Sequence, residues 1–179
     1  MEKILTFTLN PTIDKSAKVD HVRPETKLYC DSPRSEPGGG GINVSRAVKK
    51  LGGSSLLVYT SGGFAGRKLD KLLEKEDLNA KSIEISNSTR ENFIIFERAS
   101  KQQFRFGMPG PKINDKEYEN IFDTFKKMEE FPEYFVISGS IPAGVDDKIY
   151  AELAEMAKKR GAKVVVDVSG HPLEEIMKE

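Results

Sequence analysis

The sequence predicts an α/β fold: a mostly parallel sheet flanked by helices, with a small β-sheet lid. Three observations carry that expectation. Short apolar runs rich in β-branched residues alternate with segments of helical periodicity, as a parallel sheet with covering crossovers requires. A block of four glycines, residues 38–41, leads into one of the helical segments. Two stretches, residues 15–36 and 92–107, break the alternation and fit no crossover.

Residues 3–9, Lys-Ile-Leu-Thr-Phe-Thr-Leu, read as a buried strand ended by the turn at Asn10-Pro11. Val44, Ala47, Val48 and Leu51 fall at i, i+3, i+4 and i+7, which predicts an amphipathic helix burying that stripe, closed by Gly52-Gly53. Residues 56–59 form the next strand, and a second helix buries Ala65, Leu69, Leu72 and Leu73. The stretch 92–107 reads as a hairpin, Phe93-Ile94-Ile95-Phe96 turning near Ser100-Lys101 into Phe104-Arg105-Phe106. Together with the extended residues 15–36 it makes a lid across one edge of the main domain.

A third helix opens at Asn114, with Glu117 three residues later as in a capping box, and buries Tyr118, Ile121, Phe122 and Phe125. The strand over residues 134–137 ends at Ser138-Gly139-Ser140-Ile141-Pro142. A fourth helix carries Ile149, Leu153 and Ala157 and closes with Lys158-Lys159-Arg160 before Gly161, cations then glycine, as a helix carboxyl end favours. Residues 163–168 form a last strand, and Pro172 begins a short helix.

The chain has 179 residues, room for one domain and a small appendage at roughly 150 residues per domain. Its 28 basic and 28 acidic side chains cancel, which argues against a polyanion binder and hence against a nucleic-acid partner. The single Cys30 forms no internal disulfide, and no Cys/His cluster has zinc-ligand spacing. No apolar run approaches the ~18 residues that span a bilayer, and no signal pattern opens the chain. A soluble cytoplasmic protein with no membrane association is expected. A helical pattern runs on to Glu179 without a cap or closing strand, so the chain reads as a fragment of a longer protein, or alternatively as a small domain with a ragged tail.

The glycine block offers a phosphate or sugar cradle at a helix start, or alternatively a flexible turn. It is neither a Walker A loop nor a dinucleotide fingerprint. Asp14 lies just past the first strand, on the side where open α/β sheets bind ligands, placed either to grip a hydroxyl or to form a turn. Asn43, in the first helical turn, can reach the same ligand or serve as a cap. Arg90 and Arg105 on the lid make either a forked phosphate clamp or a solubilising surface. Lys27 stands out less on its own merits. Ser138 and Ser140 follow a buried strand, but only His21 and His171 exist as bases, which speaks against a serine hydrolase.

Taken together, Asn10-Pro11 with Asp14, Glu36-Pro37 running through the glycines to Asn43-Val44, Arg90, Phe104-Arg105-Phe106, and Ser138 to Pro142 resemble in order and spacing the ribokinase-like PfkB carbohydrate kinases. Within that family the resemblance is to the minor bacterial 6-phosphofructokinase branch, because Gly40 stands where many relatives place lysine. The resemblance implies one kinase domain seen in its amino-terminal part. Its α/β core covers about 1–14, 37–89 and 108–179, and its lid about 15–36 and 90–107. It implies transfer from MgATP to the 1-hydroxyl of fructose 6-phosphate, giving fructose 1,6-bisphosphate as in glycolysis. It also implies a homodimer formed through the lid. Fructose 1-phosphate or tagatose 6-phosphate as acceptor, or a non-catalytic sugar-phosphate-binding or dimerisation module, are the alternatives. Substrate would be held by Asp14, Lys27, Gly39, Gly40, Asn43, Arg90, Arg105 and Ser138. The family's catalytic Gly-Ala-Gly-Asp segment and most of the ATP site fall outside these 179 residues, so no catalytic or metal residue is expected in this chain.

Overall fold

The structure is a computed structural model describing residues 3–177. The outermost residues of the expected core segments, and the helical pattern at Glu179, lie outside that range. The first strand, β1 (Ile4–Thr8), sits at the centre of a five-stranded, all-parallel sheet with β4 (Leu56–Ser61), β5 (Ala80–Glu84), β8 (Tyr134–Ser138) and β9 (Lys163–Asp167), in the order β5-β4-β1-β8-β9. Side chains alternate between its two faces. Leu5, Phe7 and Leu9 join Val58, Phe135 and Ile137 under α3 (Asp115–Lys126) and α4 (Ile149–Lys159). Leu57 and Tyr59 point the other way, onto α1 (Gly40–Lys50) and α2 (Gly63–Lys75), where Ile42, Leu69 and Leu73 complete a second core. A short α5 (His171–Ile176) follows β9.

The lid is a separate four-stranded sheet, ordered β3-β2-β6-β7, built from β2 (Thr12–Val19), β3 (Arg34–Gly38), β6 (Arg90–Glu97) and β7 (Gln103–Phe106). Its outer pairs are antiparallel, whereas β2 and β6 run parallel. The first pair of lid strands therefore begins at Thr12 and ends at Gly38, slightly beyond the expected 15–36. The capping box at Asn114 and Glu117 is present, and Gly161 follows α4 with φ +84.

Two expectations need correction. The stripe Val44, Ala47, Val48 and Leu51 is not the buried face of α1. Gly41, Ile42 and Ser45 are, and Leu51 is 88% exposed. The helix turns that face inward because the glycines let its first turn press on β1. Thr8 Oγ1 accepts from the Ile42 amide at 3.1 Å, and the Ser45 and Thr6 hydroxyls pair at 2.7 Å. Strand β5 was not expected at all, because only Ile83 among its five residues is buried and the hydrophobic alternation is lost.

Candidate functional site

After β1 the chain turns at Asn10-Pro11 and leaves the main sheet as β2. Ile13 is drawn into the core with Ile42 and Leu57, so its neighbour Asp14 is turned to the opposite face of the lid. There Asp14 stands opposite Asn92 of β6 and Glu36 of β3. Its Oδ1 accepts from the Asn92 side-chain amide at 3.1 Å. Its Oδ2 lies against Gly38, where a Cβ would come within 2.5 Å of it. The other end of the Asn92 amide accepts from the Met108 backbone N–H at 3.0 Å.

Arg90 pairs across the sheet with Thr12. Its guanidinium donates to the Asn10 carbonyl at 3.1 Å, the Ser140 hydroxyl at 3.4 Å and the Met108 carbonyl at 3.3 Å. Burial pulls its pKa below the usual arginine value, and the nearby Asp14 carboxylate opposes that pull. Asn10 Nδ2 donates to the same Ser140 hydroxyl at 3.0 Å. Two buried atoms of this cluster, Arg90 Nε and Asn10 Oδ1, have no partner among the described residues.

Gly39 opens α1 with φ +133, a left-handed geometry that a side chain rarely adopts. Gly40 packs directly on β8: a Cβ there would overlap Ser138 Oγ and sit 2.6 Å from the Ser138 carbonyl carbon. Ser138 is buried, and its hydroxyl donates to Asp167 Oδ2 at 2.9 Å. Gly40, Ser138, Ser140, Asp147, Asp167 and His171 line a crevice of about 520 Å³ beyond the carboxyl ends of β8 and β9. The Tyr150 hydroxyl, on a fully buried ring, donates to the Ser140 carbonyl at 3.3 Å and fixes that turn from beneath.

Of the expected residues, Asp14, Gly39, Gly40, Arg90 and Ser138 thus gather where β1, β8 and the lid meet. Asn43 is one turn from Gly39, its amide N–H bonding the Gly39 carbonyl at 2.9 Å while its side chain is exposed. Arg105 stands opposite Ile94, in phase with Asn92, and so shares the lid face with Asp14. Lys27 is not brought to this group. It lies in the exposed connection between β2 and β3, its Nζ 5.1 Å from the Tyr29 ring centre. Asn10 was legible only as a turn residue and a motif position, and Asn92, Tyr150 and Asp167 had no role in the sequence reading. Asn92 carried one legible signal, its two-residue spacing from Arg90 on a strand.

Comparison with known proteins matches residues 2–178 to the family described as pfkB family carbohydrate kinase. ATP-dependent 6-phosphofructokinase isozyme 2 of Escherichia coli is 39% identical over 173 residues, which cover 97% of this chain and 56% of that protein. The same isozyme of Mycobacterium tuberculosis is 38% identical over 174 residues, covering 97% of this chain and 51% of that protein. 1-Phosphofructokinase of Bacillus subtilis is 31% identical over 170 residues, 95% of this chain and 55% of that protein. The chain spans about half the length of these relatives. The crystal structure of Escherichia coli phosphofructokinase-2 in complex with fructose-6-phosphate superposes with a TM-score of 0.91 at 38% identity, over 98% of this chain and 57% of that one.

Proposed function

The chain belongs to the pfkB family of carbohydrate kinases, and on that premise we propose that it forms the acceptor-binding part of an ATP-dependent 6-phosphofructokinase. The observation that carries the reading is the meeting of an anionic and a cationic group on one lid face. Asp14 is held there by Asn92, and Arg90 lies two residues along β6 on the same face, anchored to Asn10 and Ser140. A carboxylate suits sugar hydroxyls, and a guanidinium suits a phosphate. The higher identity to 6-phosphofructokinases than to a 1-phosphofructokinase favours fructose 6-phosphate over its isomers.

In this reading Asp14 accepts hydrogen bonds from the hexose hydroxyls, while Gly39, Gly40 and Asn43 line the sugar at the start of α1. Arg90 and Arg105 neutralise the 6-phosphate from the lid, with Ser138 beside them, and Lys27, which lies apart from this group on the exposed connection between β2 and β3, is assigned to the phosphate as a contribution of that connection. ATP with Mg²⁺ is the donor and supplies the phosphoryl group. Among the described residues no group of three or more His, Cys, Asp and Glu side chains is placed to hold a metal ion. The Gly-Ala-Gly-Asp segment that the resemblance ties to catalysis does not occur in the 179 residues. For this chain alone the reading is therefore binding without efficient turnover. The lid also exposes Phe93 and Phe106, at 40% and 50%, which supports pairing of two lids in a homodimer.

The test compares ADP formation by the protein that carries this chain, with MgATP and fructose 6-phosphate, fructose 1-phosphate or tagatose 6-phosphate. Fructose 6-phosphate should give the highest kcat/KM, and Asp14→Ala should lower it. ADP formation indifferent to hexose phosphate refutes the kinase reading, and preference for another acceptor moves the assignment to that branch. Sedimentation of the protein, with and without Phe93→Ser and Phe106→Ser, tests the lid dimer.

A further inference from the structure

The connection between β2 and β3, residues 20–33, is long for two antiparallel neighbours. Its interactions with the rest of the molecule crowd at its mouth. Arg98, just past β6, donates to Asp20 at the outgoing end through Nη1 at 2.9 Å. Its Nη2 donates to Asp31 at the returning end at 3.3 Å. Around that fork, the Asp31 N–H bonds the Lys18 carbonyl at 3.0 Å and the Lys18 N–H bonds Asp31 Oδ1 at 2.7 Å. Arg98 and Ala99 donate their amides to the carbonyls of Val19 and Asp20 at 2.9 and 3.2 Å. The Glu97 carboxylate takes the Val22 N–H at 2.5 Å and the Ser100 hydroxyl.

Beyond this mouth, residues 23–30 are exposed, and among the described residues their side-chain contacts are internal, Thr26 to the Arg23 carbonyl and Lys27 over Tyr29. The segment is an arm whose direction is set where it joins the lid. One guanidinium bridges two carboxylates there, so its removal leaves Asp20 and Asp31 facing each other with like charge.

We infer that Arg98 is a positioning residue, an ionic clasp that closes the mouth of the 20–33 arm and thereby fixes where Lys27 is presented. The part concerning Lys27 rests on the proposed kinase reading; the clasp itself does not. Exposed ion pairs add little to global stability, so the effect of losing this one is local.

Arg98→Ala, Arg98→Lys and wild type are compared in the full chain. A nitroxide on Cys30, the only cysteine, reads the motion of the arm, and hydrogen exchange over residues 18–31 reads its mouth. Arg98→Ala should sharpen the nitroxide spectrum and speed exchange at Val22 and Asp31 about tenfold, with an unchanged unfolding transition. Arg98→Lys, which keeps the charge and loses the fork, should fall between the two. Added to Arg98→Ala, Asp20→Asn should restore part of the order by removing the repulsion. Unaltered spectra and exchange in Arg98→Ala overturn the clasp. In the protein that carries this chain, Arg98→Ala should raise the fructose 6-phosphate KM several-fold with kcat little changed. A loosened arm with an unchanged KM overturns the positioning of Lys27. Wild-type protein that fails to use fructose 6-phosphate removes the role of Lys27 together with the kinase reading, while the spectra still decide the clasp.

Discussion

The side-chain amide of Asn92 binds the Asp14 carboxylate with its nitrogen, at 3.1 Å, and the Met108 backbone N–H with its oxygen, at 3.0 Å. One amide therefore fixes both the rotamer of the acid and the path of the chain that leaves the lid. Asn92→Ala should lower affinity for fructose 6-phosphate by the worth of about one hydrogen bond, roughly fivefold in Kd for ~1 kcal/mol. Asn92→Asp places a second carboxylate beside Asp14 and should weaken binding further. Calorimetric titration of both variants checks this, and wild-type affinity in Asn92→Asp would show that Asp14 does not meet the ligand.

The contact of α1 with β1 depends on Gly41. A Cβ there would lie 2.5 Å from the Phe7 carbonyl oxygen and 2.6 Å from Thr8 Oγ1, so the helix would have to lift off the strand. Gly41→Ala should cost about 1–3 kcal/mol, the usual penalty of overpacking, in urea denaturation. Gly107→Ala is the control: nothing lies within 4 Å of its Cβ position and its φ is not positive, so stability should stay within about 0.5 kcal/mol. Equal effects at the two positions would mean that the close approach is not what requires glycine.

The parallel strands β1, β4, β8 and β9 were legible because each carries its own apolar run, and α3 because its capping box is written in Asn114 and Glu117. Strand β5 was not, since an edge strand with one buried residue, Ile83, owes its place to its neighbour β4 rather than to its own pattern. In α1 the periodicity named the wrong stripe. Its small residues Gly41 and Ser45 pack on Thr6 and Thr8, a fit of backbone and hydroxyls that hydrophobicity does not register. Residue types and spacing singled out Asp14 and Arg90, but the lid register that brings Asn92 onto Asp14, and the turn that brings Ser140 onto Arg90, are tertiary facts.

Arg160 shows the same gap between sequence and tertiary role. Read as the last cation of α4, it instead reaches across to the end of α3. Its Nη1 donates to the carbonyls of Phe125 and Lys126 at 2.9 and 3.4 Å, and its Nη2 to those of Met128 and Glu129. Its guanidinium also lies 5.0 Å from the Phe131 ring centre. Phe125 and Lys126 belong to the last turn of α3, where carbonyls lack intrahelical partners, although the Phe125 carbonyl also accepts the Met128 N–H at 3.3 Å. Arg160→Ala should destabilise the fold by about 1.5–3 kcal/mol, the range for hydrogen bonds from a charged donor. Arg160→Lys should recover less than half, because one ammonium cannot span the fork. Thermal unfolding that shifts by under about 1 °C in Arg160→Ala would show that water replaces the clamp without loss.

Glu117 couples α3 to the loop after β5 and makes that contact sensitive to acid. Burial alone would raise its pKa, but donation from the Asn114 N–H at 2.9 Å, the Ser86 hydroxyl at 2.7 Å and the Ser86 N–H at 2.6 Å outweighs it and holds the carboxyl below its ordinary value of 4.5. The folded state therefore binds this proton less readily than the unfolded chain. Its stabilising contribution is complete above pH 4.5 and is lost as the pH falls toward the lowered folded value. Glu117→Gln keeps an acceptor and removes the titration, so it should flatten the decline of the melting temperature between roughly pH 5 and 3 relative to wild type. The two proteins should differ most above that window, where wild type holds its ionised carboxylate, and converge below it. Parallel curves across the whole range would mean that the three donors do not distinguish the charged from the neutral acid.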